Sequence, residues 1–281
     1  MSAKLLFNSA AWIVWLAPFA GILAAGVTRR HDPKVEGDSV LRHDTAAIVE
    51  HWTVAVSAVV LLVSGIALGL LFIPSLLGEG TPVWTAMNIH FAAVVAFVFG
   101  TFYYGANTLL SPKRLKEHLP TSDAVEYTKQ HYGLLLGFKK FVMPPERKYF
   151  ESEKMAYIMA AVGTITILLT GFTKLAAHSF NVPAGLMAVA TPTHDIATVV
   201  MLAFILPHIF FAAVLPSSWP IFRSMFTGHV SLDYAKHEHA GWLAELEQAD
   251  GQAAAAKVAA PTVPPTPRFV SKPERIVHNE G

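Results

Sequence analysis

Long apolar runs separated by polar loops dominate the chain. Five runs approach the ~20 apolar residues that a helix needs to cross hydrocarbon: 5–27, 51–73, 88–110, 154–174 and 193–215. In lipid every backbone N–H and C=O must find its partner within the chain, so each run is predicted to be a helix. The fold class is therefore an all-α membrane bundle.

The polar loops alternate in charge. Segment 28–50 holds Arg29, Arg30, Lys34 and Arg42. Segment 111–153 holds Lys113, Arg114, Lys116, Lys129, Lys139, Lys140, Arg147 and Lys148, and 216–281 holds six more basic residues. Segments 75–87 and 175–192 hold none. Basic loops stay cytoplasmic, so the expected topology is N-terminus outside and C-terminus cytoplasmic. The alternative for the first run is a secretory signal with "LAAG" as a poor cleavage site, but the "TRR" that follows it resists translocation. The expected organisation is an extra N-terminal helix in 1–30, a core in 42–247 with a cytoplasmic loop 111–153, and a disordered Ala/Pro-rich tail in 248–281. In the loop, "TSDAVEY" suggests a short helix capped by Thr121 or Ser122, and "PP" at 144–145 suggests a break.

Composition agrees with a membrane protein. Only 15% of residues are charged, against about 25% in soluble domains. A net charge of +1 gives no ground for nucleic-acid binding. The absence of cysteine excludes thiolate catalysis, disulfides and Cys-ligated iron–sulfur clusters on this chain.

Among the side chains that can do chemistry, the thirteen histidines stand out. His51, His90, His194 and His208 lie in or at the mouths of apolar runs, with His178 just past the fourth run. His31, His43, His118, His131, His229, His237, His239 and His278 lie in polar stretches and are expected to be solvated. Imidazole in hydrocarbon is costly, so an intramembrane histidine is a functional candidate. On the predicted topology His90 and His194 lie at the outer level, His51 and His208 at the inner one. In "HDIATVVMLAFILPH", 194–208, fourteen residues span about 21 Å and return to within about 40° of the same helix face. Two bis-histidine pairs stacked in a bundle suit two b-type haems. Single metal ions, a proton relay or hydrogen-bonded core histidines are the alternatives. Glycines in "VSGIALG" (63–69), "FVFG" (97–100) and "LLTGF" (168–172) would make room for porphyrin or simply allow close helix packing. Pro207, directly before His208, is expected to kink its helix.

These residues resemble a family, the gamma (cytochrome b) subunits of membrane-bound respiratory formate dehydrogenases, relatives of hydrogenase cytochromes b. The resemblance covers roughly 42–247. It rests on "EHW" at 50–52, "NIHF" at 88–91, the H-x13-H of 194–208 and the run "FRSMFTGHVSLDYAKHEHAGW" at 222–242. It implies a four-helix diheme bundle with His51 and His208 on the inner haem and His90 and His194 on the outer one. It also implies an iron–sulfur beta subunit, a molybdenum or tungsten catalytic alpha subunit, and menaquinone or ubiquinone as acceptor near the cytoplasmic side, within a complex that can assemble further. The chain itself has no site for formate. It has no cysteine, no dinucleotide-binding glycine motif and no soluble catalytic domain, so it is expected to be an electron-transfer subunit. One departure concerns the quinone. Where the family often reads Lys-Tyr-Asn-x-Gly-Gln-Lys, this chain reads "KYFESEK" at 148–154. Lys148 and Tyr149 fit, Phe150 and Ser152 replace the Asn and Gly, and Glu153, in place of the Gln, either delivers protons or is a solvated carboxylate favoured by the dipole at a helix N-terminus. A hydrogenase or other molybdoenzyme partner is the nearest alternative. A haem-free anchor or a proton-relaying transporter is the alternative from another class.

Overall fold

A computed structural model describes residues 5–71, 73–138, 140–142 and 144–259. Two short helices come first: α1 (Leu6–Ser9) and α2 (Ala11–Val27). A hairpin of β1 (Lys34–Glu36) and β2 (Ser39–Leu41) leads to α3 (Thr45–Leu68) and α4 (Thr81–Leu109). The following loop folds into α5 (Pro112–His118) and α6 (Ala124–Leu135). Then come α7 (Glu151–Ala176) and α8 (Ala184–Ile209), α9 (Trp219–Thr227), β3 (His229–Ser231), α10 (Leu232–Glu238) and α11 (Ala240–Ala259).

Four helices are long and apolar enough to cross a membrane: α3, α4, α7, and α8 extended through Val214. The run 5–27 differs from expectation. The backbone leaves helical geometry at Ala10, and α2 keeps 17 residues, or about 26 Å. It is apolar and shorter than the four crossing helices. It packs along α4, with Phe7, Ala11, Val14 and Ala17 clustered with Phe91 and Val98. Gly21 permits the contact, because a Cβ there would stand 2.5 Å from the Phe99 carbonyl oxygen.

The four crossing helices form two close pairs, α3 with α4 and α7 with α8. Among the described residues, close backbone approaches fall within each pair far more than between them. A small apolar cavity at mid-bundle, lined by Ala58, Leu62, Phe97, Ile167, Met201 and Ile205, takes a wall from each of the four. Both pairs open at one end onto short loops and at the other onto a polar cap.

The cap is built from the segments expected to be loops. β1, β2 and β3 make a small antiparallel sheet in which Val40 pairs with Val35 and Val230. Beneath it Val40, Val230, Ala235, Trp242 and Leu243 are buried together. Gly228 closes α9 with φ +80°. Its carbonyl accepts the N–H groups of Arg42 (2.8 Å) and His43 (3.0 Å), and a Cβ would press on the His43 carbonyl at 2.6 Å. The run 222–242 thus ties the far end of the chain to the start of α3.

Other expectations shift in detail. α6 starts after Asp123 rather than at Thr121 or Ser122. Pro144 and Pro145 do stand outside helices. Both Pro192 and Pro207 lie inside α8. The disturbance from Pro207 emerges as a π-helical turn over Phe210–Val214, closed by Leu215 N–H to the Phe210 carbonyl at 3.3 Å. The compact unit ends at Leu246, and the rest of α11, to Ala259, belongs to a second unit. The expected disordered tail therefore begins as helix, and its remainder, with His278, lies outside the described residues.

Candidate functional site: two levels of paired histidines

The four apolar-run histidines fall at two levels, set by helix counting. His90 is nine residues into α4 and His194 ten residues into α8, both from the short-loop end. His51 is six residues into α3 from the cap, and His208 lies six residues before Val214. Each level therefore takes one histidine from α8 and one from the α3–α4 pair.

At the cap level the His51 and His208 rings face each other with centroids 6.3 Å apart. Two imidazoles bound to one metal at about 2 Å each would put their centroids about 6 Å apart. His208 stacks on Phe204 and His51 meets Trp52 edge-on. Trp52 in turn donates its indole N–H to the Met225 carbonyl at 2.7 Å, fixing the start of α3 on α9.

At the short-loop level His90 and His194 are within electrostatic range of each other. His90 Nδ1 lies 2.8 Å from Ser64 Oγ on α3, and His194 Nδ1 lies 2.8 Å from Thr170 Oγ1 on α7. A Cβ added to Gly65 would stand 3.8 Å from His90 Cε1, and one on Gly171 3.4 Å from His194 Cε1. The glycines singled out in the sequence thus lie beside the rings. Ser64 and Thr170, the hydroxyl residues directly before them, escaped the sequence reading. The dipeptides Ser64-Gly65 and Thr170-Gly171 were the available signal.

Behind the cap-level pair is a buried charge cluster. Glu50, 1% exposed, accepts from Arg30 (2.9 Å), Arg114 (2.6 Å) and Asn107. Arg30 also pairs with Asp44 at 3.0 Å, and Asp44 caps α3 by accepting the Ala47 N–H at 2.8 Å. Here "EHW" resolves into three jobs: a buried ionic anchor, a ring at the cap level and an indole strut.

The proposed quinone residues sit in the cap wall with partners of their own. Lys148 pairs with Glu117 at 3.3 Å and lies over the Tyr149 ring. Tyr149 also packs on His118 and under the Arg42 guanidinium. Glu153 accepts the Phe150 N–H at 3.0 Å, capping α7, and reaches Arg42 at 3.5 Å. Phe150, in place of the family's Asn, is buried and stacked on His239.

The expectation that the loop histidines are solvated needs correction for three of them. His43, His118 and His239 are buried. The cap folds over them, because each has somewhere to place its polar atoms or its ring. His239 donates Nδ1–H to the Arg147 carbonyl (2.6 Å) and receives Arg42 on Nε2 (3.1 Å). Burial, then the Arg42 charge, depresses its pKa to about 3, so it stays neutral. His118 donates to the Arg114 carbonyl at 2.7 Å. His178 donates to Asn8 Oδ1 at 2.7 Å and stacks on Phe7, holding α1 in place.

Glu146 was also missed. Its side chain is buried, Oε2 accepts the Glu151 N–H at 3.1 Å, and Oε1 has no partner among the described residues. Burial raises its pKa to about 7; the Glu151 N–H bond opposes the rise, the Glu151 and Glu153 charges add to it, and Lys154 opposes it.

Among the described residues no group of three or more His, Asp or Glu is placed to hold a metal ion. The intramembrane histidines come in twos, at two depths, between close helix pairs. A transmembrane four-helix bundle of this kind defines the class of membrane cytochromes b. Residues 42–228 match the sequence profile described as prokaryotic cytochrome b561, and the chain belongs to that family. It is also similar to the cytochrome b556 subunit of formate dehydrogenase from Haemophilus influenzae, at 24% identity over 213 residues, covering 73% of this chain and 83% of that protein. All four histidines lie within the matched segment, whereas α1, α2 and Arg30 lie outside it.

Proposed function

We propose that this chain is the membrane-anchoring diheme cytochrome b subunit of a respiratory formate dehydrogenase. His51 and His208 would hold one b haem, and His90 and His194 the other. The observation that carries this reading is the pairing of four histidines at two matched levels, with glycine rather than a side chain beside the short-loop rings. A bis-imidazole haem, when bound, takes up and gives away single electrons without changing its ligands. The residues do the rest. Four helices hold the rings at two depths, apolar side chains exclude water between the levels, and the cap closes one end over buried charge.

In this reading an iron–sulfur partner, itself served by a molybdenum or tungsten catalytic subunit, docks at the short-loop end, which faces outward. A quinone, menaquinone or ubiquinone, is reduced at the cap end on the cytoplasmic side, beside Lys148, Tyr149 and Glu153, with Glu153 handing on protons. The charge alternation of the loops and the similarity to a formate dehydrogenase cytochrome subunit support it.

The test is pyridine haemochrome quantitation of the purified chain. Two b haems per chain are expected; fewer, or a His194→Ala variant retaining both, would overturn the reading. Co-purification decides the electron donor: a hydrogenase large subunit in place of a molybdenum or tungsten subunit refutes the formate assignment. For the cap end, an unchanged rate of haem re-oxidation by quinone in Glu153→Gln removes that residue from the proton path.

A further inference from the structure

Two of the four histidines are gripped by a hydroxyl from a different helix, and the His194 ring is also hydrogen-bonded to the Ile167 backbone. Ser64 and Thr170 are both buried, and each places its hydroxyl oxygen 2.8 Å from Nδ1 of the histidine on the next crossing helix, His90 or His194. A hydroxyl has one hydrogen to give, and in both cases it is already engaged. Ser64 Oγ donates to the Val60 carbonyl at 2.6 Å, and Thr170 Oγ1 to the Thr166 carbonyl at 2.7 Å, one turn back on their own helices. Toward the ring, each oxygen can then only accept. Nδ1 must carry the ring hydrogen, which leaves the lone pair of the neutral imidazole on Nε2. The next residue is glycine in both cases, and a Cβ there would stand 3.8 Å (Gly65) or 3.4 Å (Gly171) from Cε1 of the same ring. The hydroxyl grips one nitrogen, and the ring edge lies beside the glycine at a distance where a Cβ would make ordinary van der Waals contact.

We propose that Ser64 and Thr170 are positioning residues that fix the Nδ1–H tautomer of His90 and His194, present Nε2 of each ring to one iron, and set the reduction potential at that level alone. The proposal rests on the reading of these histidines as axial ligands. An N–H donated away from the metal makes the imidazole a stronger donor, which favours ferric over ferrous iron and lowers the potential. Loss of such a partner commonly changes metal affinity by 10-fold or more. A tenfold loss of preference for the ferric state is a rise of about 59 mV for a one-electron couple.

The experiment is a spectroelectrochemical titration of the purified holoprotein, comparing wild type with Ser64→Ala, Thr170→Val, the double variant, and the conservative Ser64→Thr and Thr170→Ser. The haem at each level is assigned from its loss in His51→Ala or His194→Ala. Ser64→Ala and Thr170→Val should each raise the potential of the His90–His194 haem by about 59 mV, a tenfold shift. The double variant should raise it further, and the conservative variants should restore the wild-type value. The other haem should not move. An unmoved potential in the single variants overturns the proposal, and so does an equal shift at both levels. Thr170→Val preserves volume and keeps the test available if Ser64→Ala folds poorly. A wild-type chain without two haems would fail at the haemochrome stage, and that result would count against the ligand reading instead.

Discussion

The two histidine levels share a pair of imidazoles but not a setting. The short-loop pair is braced by neutral groups, two back-bonded hydroxyls and two glycines. The cap pair has a buried carboxylate one residue away, held by two guanidinium groups. Charge lies near the short-loop pair too, in Lys174 and Asp195, but there the rings are held by hydroxyls while Asp195 accepts the Leu71 N–H at 3.2 Å. Ionic bracing suits a level under a polar cap, where loops can enclose charges and satisfy them. The difference teaches that similar histidine pairs in one bundle can be held in place by separate means.

The strongest way to break the comparison is to remove one ring from each level. His194→Ala and His208→Ala should each lower the haem count from two to one, with complementary spectra, as haemochrome assay of the purified variants would show. Next is the ionic anchor. Glu50→Ala leaves Arg30 and Arg114 facing a lost partner, and breaking a buried pair in this way costs about 3–5 kcal/mol. Thermal unfolding should shift accordingly, with damage to the cap-level spectrum before the other.

A smaller effect concerns pH. Glu146 has a raised pKa of about 7 in the folded cap, so the native state holds a proton that the unfolded chain has released above its ordinary carboxyl range. The contribution to stability is full below that range and is lost as pH rises through about 7, by at most about 3 kcal/mol. Glu146→Gln should flatten unfolding midpoints between pH 5 and 8, while the short-loop spectrum stays indifferent to pH in either protein. The smallest effect belongs to Arg30, which is partly exposed and shares Glu50 with Arg114. Arg30→Gln should cost about 1 kcal/mol or less, measured in the same unfolding experiment.

Much of the bundle was legible in the sequence because hydrocarbon imposes one rule everywhere: apolar length gives helices, and the histidine spacing gives depth. The H-x13-H interval, read as two levels, agrees with the helix positions of His90 and His51. The cap was less legible. Its strands are three residues each, and its core of Val40, Val230, Ala235 and Trp242 brings together residues about 200 positions apart. Nothing local announces that His239 will be buried between an arginine and a carbonyl, or that the Glu146 carbonyl will accept the Trp242 N–H. The hydroxyls of Ser64 and Thr170 were hidden for a different reason. Serine and threonine inside apolar helices usually satisfy themselves on their own backbone, and only the neighbouring helix reveals that these two do so while also holding a ring.

The hook between Gly228 and Arg42 has a topological consequence. These two residues also bound the segment shared with the family. The shared core therefore begins and ends at one point, like a bracelet at its clasp. Anything spliced on upstream or downstream emerges from the same edge, which is where α2 arrives and α10 departs. Such a core can gain new segments at either terminus without rethreading its helices. A circular permutant joined at the clasp and opened in the 75–80 loop should still assemble both levels.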